Sequence, residues 1–135
     1  MDGKRILAVI AGLVVSMLAL YTVVIIAGKI YPVDMLEIKA AMQNRDLFEA
    51  YLARQPIGSL LFDAIAHAVG MFVGLYLAFF IDPRGRGSII ILAAIIIMTN
   101  IINLISIPYP LWFPMVDIAT SIFVASMFIM SKKKA

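Results

Sequence analysis

The chain has no cysteine, a single histidine and few charged residues. Of its 135 residues, 14% are Asp, Glu, Lys or Arg. Without cysteine, neither a disulfide framework nor a thiolate metal site is possible. The sequence also has no HExxH, no GxSxG and no glycine-rich phosphate loop, which are common signatures of catalytic sites. We therefore expect a protein that is not an enzyme and that carries no cofactor.

Apolar residues are present in great excess. They make up 64% of the chain, whereas an ordinary soluble domain is roughly half apolar. A globule of this size cannot bury so many apolar side chains, so lipid is the expected solvent. The net charge of +3 needs no nucleic-acid partner to explain it, because the charges lie beside the apolar runs, as membrane topology requires.

Four long apolar segments account for most of the chain, which we treat as a single membrane domain, 1–135. Each approaches or exceeds the ~20 residues that a helix needs to cross the bilayer, and helices satisfy their own backbone in lipid. The first segment is longer than the ~7–15 apolar residues of a signal peptide, so we expect a retained helix. The sequence predicts an all-α integral membrane bundle with helices at about 6–29, 57–81, 88–107 and 111–130.

The distribution of Lys and Arg predicts the orientation of these helices. With four crossings, seven basic residues fall on one side of the membrane: Lys4, Arg5, Arg84, Arg86, Lys132, Lys133 and Lys134. Positive charge is enriched in short cytoplasmic segments. Both termini are therefore predicted to be cytoplasmic.

The loop at 31–56, on the opposite side, carries helical patterns of its own. Asp34 and Glu37 have the spacing of a capping box, and Leu47, Phe48, Tyr51 and Leu52 form one apolar stripe. We expect short amphipathic helices that cover the outer helix ends or bind a partner. Four aromatic residues near this boundary are predicted to form an outer belt: Tyr31, Tyr51, Tyr109 and Trp112.

The second apolar segment contains a polar and small-residue stripe within "FDAIAHAVG". Asp63 and His67 are four residues apart and share a helix face with Gly70 and Gly74. Such a face is expected to pack against other helices. The first segment has small-xxx-small spacing at Ala8, Gly12 and Ser16, which predicts a close contact, either inside the bundle or between two copies.

Depth in the membrane groups several polar residues in the outer half of the bundle. These are Asp63, His67, Asn100, Asn103 and Asp117, with Lys29 above them at the outer end of the first helix. An unpaired Asp near the bilayer centre costs roughly 2.5–3.5 kcal/mol, so mutual pairing is expected. Three interpretations remain open: a structural polar lock, a proton or ion pathway, and a metal site formed by Asp63, His67 and Asp117.

Several short stretches resemble a loose group of small four-helix proteins of the bacterial inner membrane with no established activity. They are "ILAVIAGLVV", the "YP" that closes the first helix, "PIGSLLFDAIAHAVGMFVG" and "PYPLWF". The resemblance implies a location in the bacterial inner membrane and assigns no catalytic or binding residue.

The expected function is that of a small accessory or structural subunit. Its expected partners are the lipid bilayer and either a membrane protein or further copies of the chain, without nucleic acid. The small size and the self-satisfying polar set favour this hypothesis. The alternative is a small ion, proton or solute transporter or channel that uses the Asp, His and Asn side chains.

Overall fold

The structure is a computed structural model that describes residues 2–131, within which every regular element is an α-helix. Four of these helices are long and apolar enough to cross a membrane, so the predicted all-α class with four long apolar helices is confirmed. Lys132, Lys133 and Lys134, which contribute to the topology prediction, lie outside the described residues. The helices are α1 (Gly3–Ile30), α2 (Met35–Ala41), α3 (Arg45–Arg54), α4 (Ile57–Ile81), α5 (Arg86–Ser106) and α6 (Trp112–Ser131).

The ends of the four long helices lie close to their predicted positions. The largest difference is at the start of α1, which begins at Gly3 and not near residue 6. There the Asp2 carboxylate accepts a hydrogen bond of 3.0 Å from the backbone N–H of Arg5. This cap satisfies an N–H of the first turn, so the helix extends into polar sequence where hydropathy gives no signal.

The two short helices α2 and α3 lie over one end of the long helices. Asp34 starts α2, because its carboxylate accepts from the N–H groups of Leu36 and Glu37 at 2.8 and 3.3 Å. The apolar side of α3 packs inward and joins α4 and α6 in a group that we call the end cluster. Its buried members are Ala41, Tyr51, Leu52, Leu60, Ala64 and Phe113.

Helix α4 is the central element, since it packs against α1, α5 and α6. Its contact with α1 is very close, because small residues face one another there. A Cβ added to Gly74 would lie 2.6 Å from the carbonyl oxygen of Gly12 and 2.7 Å from Cβ of Ser16. A Cβ on Gly70 would lie 2.8 Å from the Ser16 carbonyl oxygen. We call this contact the glycine seam; it lies inside the bundle, within one copy of the chain.

A second apolar group fills the half of the bundle that contains the α4–α5 link. We call it the deep cluster. It draws on all four long helices, and its buried members carry no polar side chain: Ala8, Met71, Leu75, Ala78, Ile89, Leu92, Ala93, Ile96, Val124, Ala125 and Phe128. Between the deep cluster and the end cluster lie the largely buried polar side chains of His67, Asn100, Asp117 and Ser121. A separate buried polar contact stands at the α4–α5 link, where the Ser88 hydroxyl donates to Asp82 Oδ2 over 2.9 Å.

Candidate functional site: a buried polar layer and an adjoining cavity

The central contact of the polar layer joins α4 to α6. His67 Nδ1 lies 2.8 Å from Asp117 Oδ1, and the two side chains are only 11% and 1% exposed. In the tautomer that carries the proton on Nδ1, the imidazole donates to the Asp117 side chain. The second oxygen, Oδ2, is buried and has no hydrogen-bond partner among residues 2–131. The pair therefore ties two helices together while one acceptor is left unsatisfied.

A second contact links α4 to the connection between α5 and α6. The Tyr109 hydroxyl donates to Asp63 Oδ2 over 3.5 Å, and the Tyr109 ring stacks on Phe113 with centroids 4.0 Å apart. Burial, reinforced by the nearby Asp63 carboxylate, raises the pKa of Tyr109 above its ordinary value. The hydroxyl consequently keeps its proton at neutral pH and remains a donor to Asp63.

The third contact joins α5 to α6. Asn100 Nδ2 donates to Ser121 Oγ over 3.3 Å, and both residues are buried. Ser121 lies one helical turn beyond Asp117 along α6, so this contact stands next to the His67–Asp117 pair. Together the three contacts connect α4, α5 and α6 at one level of the bundle, in the manner of interhelical hydrogen bonds in membrane proteins.

A cavity of about 310 Å³ adjoins this layer, between α1 and α5, with one residue of α4 at its back. Met17, Tyr21 and Ile95 on its rim are exposed on the outside of the bundle. Its polar lining includes His67, Asn100 and Asn103. The full lining is Leu13, Ser16, Met17, Leu20, Tyr21, His67, Ile95, Ile96, Thr99, Asn100 and Asn103.

The predicted polar set is thus divided between two places. Asp63, His67, Asn100 and Asp117 lie in the polar layer, and Asn103 lines the cavity with a side chain that has no hydrogen-bond partner in the described part of the chain.

Lys29 lies apart from both the layer and the cavity. It is exposed in the last turn of α1, and no ion pair of its ammonium group occurs within residues 2–131. A lysine at this position places its ammonium group in a polar environment beyond the apolar segment, which explains why it does not turn into the bundle.

Two members of the layer, Tyr109 and Ser121, are not in the predicted set. Tyr109 is predicted for the outer aromatic belt together with Tyr51, yet Tyr51 is buried in the end cluster and Tyr109 turns toward Asp63. Proline on both sides of Tyr109 sets a turn whose direction the sequence does not reveal. Ser121 lies four residues after Asp117, and that spacing is the signal in the sequence that points to it.

The described residues do not form a metal-binding geometry. Within residues 2–131 there is no group of three His, Asp or Glu side chains arranged to hold a metal ion. Asp63 is directed to the Tyr109 hydroxyl, while His67 is bonded to Asp117, so the three side chains do not converge on one point.

No family model, curated protein or solved structure matches this chain. Its fold and its polar layer are therefore interpreted from its own contacts.

Proposed function

We propose that this chain is a small, non-enzymatic, multi-pass subunit of the bacterial inner (cytoplasmic) membrane. It has both termini in the cytoplasm and packs against a membrane partner or a second copy. The observation that carries the proposal is the His67–Asp117 pair, which joins α4 to α6 and whose side chains are only 11% and 1% exposed. Polar side chains that form hydrogen bonds across helices hold those helices together.

The deep cluster supports the same conclusion. The polar layer lies toward one end of the bundle, and the buried apolar side chains of the deep cluster occupy the other half. A solute or ion that reached His67 would next meet the apolar side chains of the deep cluster, which separate it from the Asp82–Ser88 pair at the α4–α5 link, and charge is costly in such surroundings. A structural role for the layer is therefore favoured over conduction through one copy of the chain.

Helix α1 offers a surface for a partner. It packs on α4 and less extensively on α5, and within the described part of the chain it makes no contact with α6. Its outer face is apolar and exposed, as at Ile10, Val14, Leu18 and Ile25. Such a face is covered either by lipid or by another transmembrane helix. In a subunit it would contact a transmembrane helix of the partner.

The test is mass spectrometry of the intact assembly after purification in a mild detergent, with the chain expressed in a bacterium. We expect the wild type to travel with a partner protein or as a defined homo-oligomer. Replacing Leu18 by Trp on the outer face of α1 should weaken that association. The matched variant Ile122→Trp, exposed on α6, should not. A wild-type chain that behaves only as a lone monomer would contradict the proposal.

A second candidate function is that of a small proton or ion transporter. One observation favours it: Oδ2 of Asp117 is buried without a partner among the described residues, which is unusual for a carboxylate that serves structure alone. This candidate predicts proton flux into liposomes loaded with a pH-sensitive dye and loss of that flux in Asp117→Asn. Equal fluorescence traces from wild type, variant and empty liposomes would exclude it.

A further inference from the structure

The cavity between α1 and α5 begins where the two helices are in closest contact. A Cβ added to Gly12 on α1 would collide with Leu92 on α5, so at this level the helices touch. Beyond that contact, the space between residues 13–21 of α1 and residues 95–103 of α5 is the cavity of about 310 Å³. Its rim residues Met17 and Ile95 are exposed, so the cavity is reached from the side of the bundle, where lipid lies.

The back of the cavity is polar, although its entrance is apolar. His67, Asn100 and Asn103 line it together with Ser16 of α1. A phospholipid acyl chain in this space would offer no hydrogen bond to His67 Nε2 or to the Asn103 carboxamide, which costs free energy in a membrane. The lining is therefore suited to an occupant that carries polar atoms at its inner end and apolar atoms toward the rim.

The hydrogen bonds already made within the protein define what the occupant must supply. When the neutral His67 imidazole carries its proton on Nδ1 and donates it to Asp117, its other ring nitrogen, Nε2, is an acceptor. Nε2 has no partner among the described residues, and neither does the Asn103 carboxamide, which both donates and accepts. The complementary ligand donates one O–H to Nε2 and offers a second oxygen to Asn103.

The depth of the cavity restricts the charge of the ligand. Leu13 to Tyr21 lie about 15–27 Å along a helix that is about 42 Å long, at 1.5 Å per residue, so the cavity is near the middle of α1. Charged lipid headgroups stay at the bilayer surface, because burying their charge near its centre is costly. A ligand that brings its polar end to this depth is uncharged.

The volume restricts its size. An engineered cavity of about 150 Å³ holds benzene, and this one is about twice as large, enough for a substituted six-membered ring. We propose that the cavity binds the hydroxyl-bearing ring of a neutral, bilayer-dissolved aromatic alcohol of the quinol class, with its hydrocarbon tail leaving between Met17 and Ile95. The ring hydroxyl donates to His67 Nε2, and Asn103 bonds the second ring oxygen. This binding role does not depend on the proposed accessory function.

The test uses the purified full chain in lipid nanodiscs and a decyl-substituted benzoquinol, kept reduced, as the probe. Bound quinol is quantified after equilibrium filtration, and the amount retained by nanodiscs without protein is subtracted. We expect saturable binding of one quinol per chain. The oxidised quinone has no hydroxyl to donate to His67 Nε2, so it should bind at least about tenfold more weakly, the effect of losing one buried hydrogen bond.

Variants locate the bound probe. Ile95→Trp places a large ring in the mouth of the cavity and should weaken quinol binding at least about tenfold. Its matched control, Met98→Trp, adds the same ring to an exposed position of α5 outside the cavity and should bind as the wild type does. Asn103→Leu removes a side chain that bonds no described residue and should also weaken binding.

Two results would overturn the proposal: equal retention of quinol and quinone by the wild type, or quinol binding that Ile95→Trp leaves unchanged. The comparison of quinol with quinone uses only the wild type, so misfolding of a variant cannot obscure it. The oligomeric state of the same preparation is read separately by mass spectrometry, so failure of quinol binding is distinguishable from failure of the subunit proposal.

Discussion

At the scale of single residues, the two carboxylate oxygens of Asp117 differ. Oδ1 forms a short hydrogen bond with His67, whereas Oδ2 is buried without a partner among residues 2–131. A buried hydrogen bond between an imidazole and a carboxylate often contributes little net stability, because the desolvation of both groups offsets their attraction. Removing His67 is different, since it leaves the Asp117 side chain buried without its hydrogen-bond partner. The pair is therefore expected to act on helix arrangement more than on total stability.

This asymmetry predicts the outcome of a double-mutant cycle. His67→Leu should lower the free energy of unfolding by about 3–5 kcal/mol, because the Asp117 carboxylate then loses the one hydrogen-bond partner it has among the described residues. The double variant His67→Leu/Asp117→Leu should be close to wild type. Both are measured by denaturant unfolding in detergent micelles. If the double variant is as unstable as the sum of the single variants, the pair has no special coupling.

Tyr109 allows the hydroxyl and the ring to be tested separately. Tyr109→Phe should cost less than about 1 kcal/mol, because the 3.5 Å contact with Asp63 is at the limit of a hydrogen bond. Tyr109→Ala also removes the ring stacked on Phe113 and should cost about 3–5 kcal/mol. Equal losses for the two substitutions in the same unfolding measurement would show that the hydroxyl dominates.

The polar residues can be placed by depth from the sequence, but their pairings cannot. Depth along each helix is counted from its ends, and this count alone assigns Asp63, His67 and Asp117 to one half of the bundle. The pairings depend on how each helix is rotated about its axis, which a count of residues does not contain. Asp63 shares a face with His67, yet its hydrogen bond is with Tyr109, which is 46 residues away.

At the scale of elements, the glycine seam determines how closely α1 approaches α4. The spacing of small residues on each helix predicts a close contact, but it does not indicate which helices meet or whether they belong to one copy of the chain. In the structure the facing atoms at Gly74 are the carbonyl oxygen of Gly12 and Cβ of Ser16. Neither can move aside as the end of a long side chain would.

A pair of glycine-to-alanine substitutions tests the seam. Gly74→Ala should push α1 away from α4 and cost about 1–3 kcal/mol, the range for overpacking a close contact. The same change at Gly28 meets no atom within 4 Å and should be neutral or slightly stabilising, since alanine favours the helix. Thermal melting of both variants gives the comparison. A Gly74→Ala protein as stable as the wild type would show that the glycine seam can accommodate an added methyl group.

At the scale of the whole molecule, the four long helices place Gly3 and Ser131 at one end of the bundle, and the loop that contains Gln43 at the other. The Lys and Arg distribution predicts that the first end is cytoplasmic. Which end faces the cytoplasm is determined when the chain inserts into the membrane. The orientation is therefore tested in intact cells and not on the purified protein.

The absence of cysteine makes that test direct. Gly3→Cys, Gln43→Cys and Ser131→Cys each introduce one thiol without altering the balance of charge. An impermeant maleimide applied to intact spheroplasts should label only the Gln43→Cys protein, and all three should be labelled after the membrane is opened. Labelling of Gly3→Cys or Ser131→Cys from outside would reverse the orientation.

The one-sided packing of α1 also bears on the order of biosynthesis. Its glycine seam needs α4, which follows it after a 26-residue interval that contains α2 and α3. Until α4 leaves the ribosome, α1 is solvated by lipid on every side, which its largely apolar surface tolerates. Helices α4 and α6, which carry Asp63, His67 and Asp117, have the lowest mean hydropathy of the four spans. Their insertion is therefore helped most by a helix that is already in the membrane. The first long helix is thus suited to serve as the membrane-resident template on which the later, more polar helices assemble.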